Sequence, residues 1–343
     1  MVRLLMVRHG ESEQNAYMEK VMYQVLSGQI PRSEFNATMR RGPPGADGGV
    51  DSDLTEKGAS QAEKLGKVWG PLLLGAASKG RLVAYVSPYL RCCKTADPFM
   101  NYIRQHGVPD FQGIVLPSIM EEGGLATSKD LESLDNVGDL IKQGKRKEGI
   151  RMLKQIKWTP MGLTGRGLRE RFPWSRQPNA NDKTLLTKNV SGFCLPIKEG
   201  HQWYNKGWEG SKAENIRMTN LFNWIKTLQY NGSGETGDDV TIVWFTHGGT
   251  IANVSNRLTG AAVEKGLSGE KKNSLAVDMI FNTSVTSFFL PSPAYSYRSD
   301  RPSSSGAHKE PWTTRLEFFN DTAHLEQERL IKFAKLNFGN AKL

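Results

Sequence analysis

Val2-Arg3-Leu4-Leu5-Met6-Val7-Arg8-His9-Gly10-Glu11-Ser12 is the stretch on which the reading of this chain turns. Its apolar, β-branched run over residues 2–7 reads as a buried strand, and it breaks off into an arginine, a histidine and a glycine. Similar runs recur further on. Leu82 to Val86 ends at Ser87-Pro88, and the shorter Ile114 to Leu116 leads towards Glu121-Glu122. Val240 to Phe245 precedes Thr246-His247-Gly248-Gly249, and Ser284 to Leu290 and Arg315 to Phe319 add two strands near the end. Helices are expected between them. Thr55 can cap one that carries Ala59, Ala62, Leu65 and Trp69 at helical spacing. Arg91 to Tyr102 forms another, which Pro98 should kink or interrupt. Glu214 to Tyr230 forms an amphipathic one carrying Ile216, Phe222, Trp224, Ile225 and Leu228. Strand alternating with helix argues for an α/β fold with a mainly parallel sheet.

Three regions fit that rhythm poorly. Residues 28–52 contain GPPGADGGVDSD and read as a long loop. Residues 126–213 join a basic, helix-like part around Lys142 to Lys157 to a Gly/Pro/Asn-rich part, and 291–311 reads as an exposed loop. Surface loops tolerate insertions and carry specificity, so substrate choice is expected there.

Composition narrows the class. In 343 residues, 38% hydrophobic content supports a packed core, and 45 Lys+Arg against 35 Asp+Glu leave a net charge of +10 that favours anionic partners. Of the three cysteines, Cys92 and Cys93 are adjacent and Cys194 is distant, with no metal-type spacing, as expected of reduced thiols. The N-terminal apolar run is too short for a secretory signal and no stretch of 18 apolar residues occurs. A soluble, cytoplasmic protein without a membrane partner is the expectation. With no nucleic-acid motif and no basic tail, nucleic acid is not an expected partner either.

The strand ends carry the chemistry. His9 follows the first strand, Arg91 the second, Glu121 the third and His247 the fourth. In an open parallel sheet, ligands bind beyond the carboxyl ends of the strands, so these four can meet in one pocket. Of the six histidines, His9 and His247 alone sit at such exits beside glycine. The residue types suit phosphoryl transfer, in which charge spreads over the non-bridging oxygens. Arg8 and Arg91 offer guanidinium forks, His9 a nucleophilic imidazole and His247 a hydrogen bond to the transferring group. Glu121, with Glu122 its close competitor, can protonate the leaving oxygen.

These residues resemble the histidine phosphatase superfamily, also called the phosphoglycerate mutase-like family. Arg8-His9-Gly10-Glu11-Ser12 with Asn15 matches its first motif, and Leu54, Thr55, Gly58, Gln61 and Ala62 match its Leu-Thr-x-x-Gly-x-x-Gln-Ala stretch. Ser87, Pro88, Arg91, Thr95 and Ala96 match the next, and His247-Gly248-Gly249 matches its second histidine. Asn282-Thr283-Ser284-Val285-Thr286 and Asn320-Asp321-Thr322-Ala323-His324-Leu325 are similar to tail segments of phosphatase members. The resemblance covers residues 1–125 and 214–325. It implies a three-layer α/β/α sandwich, one domain over residues 1–343 with insertions at about 16–52, 126–213 and 291–311. It also implies phosphorylation of His9, a phosphate pocket of Arg8, Arg91 and His247, and Glu121 as acid. The chain departs from the family after the acid, where Glu121-Glu122-Gly123-Gly124-Leu125 lacks the usual Trp-Glu-Gly.

Other roles stand beside these. Ser12 can equally cap the following helix, and Asn15 can orient phosphate or satisfy the loop backbone. Ser87 and Pro88 read as turn formers, Thr95 and Ala96 as helix packing, and His106 as a helix C-cap. His201, His308 and His324 read as structural or surface residues, and Lys145-Arg146-Lys147 as a solvated face. The leading activity is hydrolysis of a phosphorylated small molecule or phosphoprotein, with no metal and no cofactor. The rivals are a mutase and a non-catalytic phosphate-binding module. Mutases of the family carry Trp where this chain has Gln14, and binding modules typically lose the nucleophile or a clamp arginine that this chain retains.

Overall fold

A computed structural model describes residues 2–35, 38, 51–121, 128–157, 161–178, 199–204, 211–231, 240–258, 280–290 and 315–325. Nine strands are described: β1 (Val2–Arg8), β2 (Leu82–Val86), β3 (Gly113–Val115), β4 (Met161–Thr164), β5 (Ser175–Arg176), β6 (Gln202–Tyr204), β7 (Val240–Thr246), β8 (Val285–Leu290) and β9 (Arg315–Asp321). The described α-helices are α1 (Glu13–Leu26), α2 (Glu56–Ser78), α3 (Leu90–Gln105), α4 (Ser128–Lys142), α5 (Arg146–Gln155), α6 (Gly165–Arg171), α7 (Ser211–Asn231) and α8 (Gly248–Leu258).

Seven strands form one sheet in the order β5-β3-β2-β7-β1-β8-β9. β1 runs parallel to β7, β7 to β2, β2 to β3 and β3 to β5, while β8 and β9 add an antiparallel edge. The continuous apolar runs of β1 and β7 follow from this placement, since inner parallel strands are buried on both faces. Alternate residues then point to opposite layers. Leu5, Val7, Ala84, Val86, Val243 and Phe245 pack in one core with Leu65 and Leu73 of α2 and Phe99 and Ile103 of α3. Leu4, Met6, Tyr85, Ile242 and Trp244 pack in the other with Met218 and Leu221 of α7 and Ile251 and Val254 of α8. The protein is therefore a helix–sheet–helix sandwich with a mostly parallel sheet, as the sequence led us to expect.

Pro98 does not interrupt its helix: α3 runs from Leu90 to Gln105 with the proline inside. An interior proline costs about 3 kcal/mol. Phe99, Met100 and Ile103 are all buried on this helix, and each contributes roughly 1.5–3 kcal/mol, which offsets that cost. The helix also seats closely on α2, where a Cβ on Gly66 would meet the backbone of Phe99 at 2.9 Å.

A second correction concerns α7. Ile216, expected on its apolar face, is 54% exposed, whereas Met218, Leu221, Trp224 and Ile225 are buried. Two residues along a helix turn by roughly 200°, so the stripe that contains Met218 sends Ile216 to the far side.

Within residues 126–213, the basic stretch forms α5 and is preceded by the more acidic α4, the two parted at Gly144, whose φ of +79° suits a residue without Cβ. The same region supplies β5, which extends the main sheet beside β3, and the strands β4 and β6 of a separate two-stranded sheet. Residues 39–50 and 291–314 lie outside the described residues, as do Glu122, Trp158, Cys194, Trp208 and His308.

Candidate active site

The β1–α1 junction is fixed by side chains of α3 and of α2 with its N-cap. The Gly10 N–H donates to Thr95 Oγ1 at 2.9 Å, and Thr95 Oγ1 donates in turn to the Arg91 carbonyl at 2.6 Å. The Glu11 N–H donates to Gln61 Oε1 at 2.9 Å, and Thr55 Oγ1 donates to Glu11 Oε1 at 2.9 Å, with Lys57 paired to the same carboxylate. Only glycine fits at position 10, because a Cβ there would lie 2.6 Å from the Gly58 carbonyl oxygen. Thr95, read from sequence as packing, thus tethers the His9 loop to the turn of helix that bears Arg91.

His9 is buried with its ring oriented from both nitrogens. Nδ1 donates to the Gly10 carbonyl at 2.7 Å, so Nε2 carries the lone pair, and Arg91 Nε donates to it at 3.2 Å. Burial and then the positive charges of Arg91 and Arg8 hold its pKa well below the ordinary value, which keeps the ring neutral. A neutral imidazole is the form that attacks phosphorus, and here its Nε2 lone pair accepts from Arg91.

Arg91 is the hub. It is 5% exposed, its Nη2 pairs with Glu121 Oε2, and its guanidinium lies 4.2 Å from the Tyr89 ring centroid. His247 Nδ1 stands 3.5 Å from Arg91 Nη2 and 3.7 Å from Glu121 Oε2, and the His9 and His247 ring centroids are 5.2 Å apart. Burial, followed by Arg91, also lowers the His247 pKa well below its ordinary value. On its other side, His247 Nε2 lies 2.9 Å from Ser87 Oγ. Ser87 is therefore more than a turn former: its hydroxyl can donate to Nε2 or accept from it, and so lets Nδ1 face the pocket in either protonation state. Arg8 donates through Nη1 to the Ile280 carbonyl and lies against Gly248, where an added Cβ would come 3.5 Å from Nε.

The structure brings Arg8, His9, Arg91, Glu121 and His247 to one end of the sheet. Asn15 has a structural partner instead: its Oδ1 accepts from the Ser12 N–H at 3.3 Å while Ser12 Oγ accepts from the Asn15 N–H, a reciprocal capping box at the start of α1. Ser12 is thus the helix cap. His106 caps α3, with Nδ1 donating to the Tyr102 carbonyl at 2.8 Å. Glu121 reaches the pocket through Arg91 and His247, while Glu122, its competitor as acid, lies outside the described residues. Among the described residues, no group of three His, Cys, Asp or Glu side chains could hold a metal ion, and no helix is long and apolar enough to cross a membrane.

Sequence reasoning missed several supporting residues. Tyr89 stacks on Arg91 and meets His247 edge-on with centroids 4.7 Å apart. Thr283 donates its N–H to the His9 carbonyl from a left-handed backbone of φ +56°, unusual for a β-branched residue, and its hydroxyl accepts from His324 Nε2 at 3.0 Å. Burial lowers the His324 pKa to about 4, which keeps the ring neutral and gives it the structural one of the two roles read for it, structural or surface. The signal for these two was their place in the tail segments; for Tyr89 there was none.

Residues 32–110 match the family model for the histidine phosphatase superfamily (branch 1), which meets the resemblance drawn from the motifs. The match takes in Thr55, Gly58, Gln61, Ser87, Arg91 and Thr95, while His9 and His247 lie on either side of it. No curated protein sequence matches the chain. Among solved structures, the mycobacterial glucosyl-3-phosphoglycerate phosphatase with inorganic phosphate is 16% identical, with 94% of this chain and 99% of that chain covered and a TM-score of 0.41. The ecdysone phosphate phosphatase from Bombyx mori with tungstate is 14% identical, covering 84% and 89%, with a TM-score of 0.39.

Proposed function

We propose that this chain, matched to the histidine phosphatase superfamily over residues 32–110, is a cytoplasmic phosphomonoester hydrolase that works without a metal through a phosphohistidine on His9. Residues 1–343 form one domain with insertions, on this reading, and the substrate is a phosphorylated small molecule or phosphoprotein. The observation that carries it is the His9 ring, whose Nδ1 is committed to the Gly10 carbonyl while Nε2 turns its lone pair to Arg91.

Arg8, Arg91 and His247 hold the non-bridging oxygens of the phosphate, with Asn15 available through its side-chain amide nitrogen. His9 Nε2 attacks phosphorus, the bond from phosphorus to the leaving oxygen breaks, and its electron pair goes to that oxygen, which takes the Glu121 carboxyl proton. Phosphate in the pocket competes for Arg91 and so loosens its pairing with Glu121, which frees the carboxyl to meet the leaving oxygen. A water oxygen then attacks the phosphohistidine, its proton passes to the Glu121 carboxylate, and the P–N electron pair returns to Nε2. The ester and water become an alcohol and inorganic phosphate, and the protein is regenerated.

The test is a phosphate-release screen over a broad panel of monoesters, with chelator present and His9→Ala as the blank. Wild type should release phosphate with the chelator present, and His9→Ala should lose on the order of 10⁴-fold or more in kcat. Release that persists in His9→Ala, or that chelation abolishes, would overturn the proposal. So would isomerisation of 3-phosphoglycerate without net phosphate release.

A further inference from the structure

Three successive carbonyls lead into Glu121, and each receives a side-chain donor from α7, α8 or the end of β7. Arg217 Nη1 on α7 donates to the Ser118 carbonyl at 3.0 Å and to the Met120 carbonyl at 3.3 Å. Thr246 Oγ1, at the end of β7, donates to the Ile119 carbonyl at 2.6 Å. Thr250 Oγ1 on α8 donates to the Met120 carbonyl at 2.9 Å. A turn of 3-10 helix, Pro117–Ile119, is thereby fastened to the β7–α8 junction that carries His247.

The last carbonyl matters most. A peptide unit is planar, so the Met120 carbonyl shares a rigid plane with the nitrogen and Cα of Glu121. Two donors on one carbonyl oxygen fix that plane. What remains between it and the Glu121 carboxyl is the residue's own φ and side-chain torsions. Because Thr246 and Thr250 belong to the two elements that flank His247, the carboxyl is referenced to His247 as well as to Arg91, its ion-pair partner.

We infer that Arg217, Thr246 and Thr250 are positioning residues for Glu121, holding its carboxyl where the leaving oxygen is protonated. This rests on the reading of Glu121 as general acid. An acid displaced by even about 1 Å costs the protonation step, and that cost scales with the need for a proton. Alkyl phosphates, whose leaving alkoxides are strongly basic, should suffer; nitrophenyl phosphates, whose leaving groups are stable anions, should suffer little. The parameter to read is kcat/KM, which ends at formation of the phosphohistidine and leaves aside the later hydrolysis.

The experiment measures kcat/KM over a series of aryl and alkyl phosphates for wild type, Glu121→Gln, Thr250→Val, Thr250→Ser and Arg217→Met, with the inhibition constant of inorganic phosphate and a melting curve for each. Thr250→Val keeps the shape and removes the donor. Both it and Arg217→Met should lower kcat/KM on alkyl esters by about tenfold or more and steepen the leaving-group dependence, and Thr250→Val, which changes no charge, should leave phosphate inhibition within about twofold. Thr250→Ser should restore the wild-type slope. Equal losses across all esters in a folded Thr250→Val, or no loss at all, would overturn the inference. If Glu121→Gln steepens the slope and Thr250→Val does not, the positioning role fails alone. If Glu121→Gln leaves the slope unchanged, the acid assignment fails with it.

Discussion

His9 and Glu121 both meet Arg91 and are held in contrasting ways. Around His9 the backbone is tied at each residue: its N–H to the Thr246 carbonyl, its carbonyl to Thr283, Gly10 to Thr95 and Glu11 to Gln61. The ring itself is pinned through Nδ1. Glu121 is anchored through the carbonyls that precede it, while its side chain remains 44% exposed. The contrast matches the two tasks. An attacking nitrogen needs a fixed line of approach, whereas a carboxyl that gives a proton and later takes one from water must serve two oxygen positions.

The sharpest way to break this contrast is to loosen the His9 side. Gly10→Ala drives a Cβ to 2.6 Å from the Gly58 carbonyl, so one of two backbones must move. We expect a loss of roughly 1–3 kcal/mol in thermal or denaturant unfolding. We also expect a fall in kcat of about a hundredfold on aryl and alkyl esters alike, because the nucleophile itself is displaced. A fall confined to alkyl esters would mean that the two sides are not independent.

Ser87→Ala tests His247 in between. Removing the hydroxyl leaves Nε2 without its 2.9 Å partner, at a cost of about 1 kcal/mol, or roughly fivefold in kcat/KM for every leaving group. A change in leaving-group slope would instead place Ser87 on the acid's side.

The smallest effect expected is on pH. His324 braces Thr283 behind His9, and its pKa in the fold is about 4 against an ordinary 6.5. A depressed value means that the unfolded chain takes up the proton first. The stability contribution is therefore full above about pH 6.5 and drains away as pH falls towards 4. His324→Gln should flatten the acid side of the melting-temperature profile. An unchanged acid slope would remove His324 from the account of the tethered side.

Legibility in the sequence follows the same division. The tethered side was largely readable, because its glycines and strand exits are local features and each motif residue makes its contact where the loop leaves a strand. Thr95 and Ser87 were seen but given bland roles, since nothing local shows that Thr95 meets Gly10 or that Ser87 meets His247, 160 positions away. The anchoring of Glu121 was invisible: Arg217, Thr246 and Thr250 sit 97 to 130 positions from the carbonyls they serve and belong to no motif we read. Pro98 and Ile216 were misread for a related reason, because local propensity and spacing yield to the burial that neighbouring layers impose.

By itself, then, the sequence determined an α/β chain with a mainly parallel sheet and the residues gathered at its strand ends, since hydrophobic period and glycine placement are local properties. Only the tertiary structure decided the strand order β5-β3-β2-β7-β1-β8-β9, the tautomer of His9 and the fixing of Glu121. Those depend on which distant donors and carbonyls the packing of two helix layers brings within hydrogen-bonding reach.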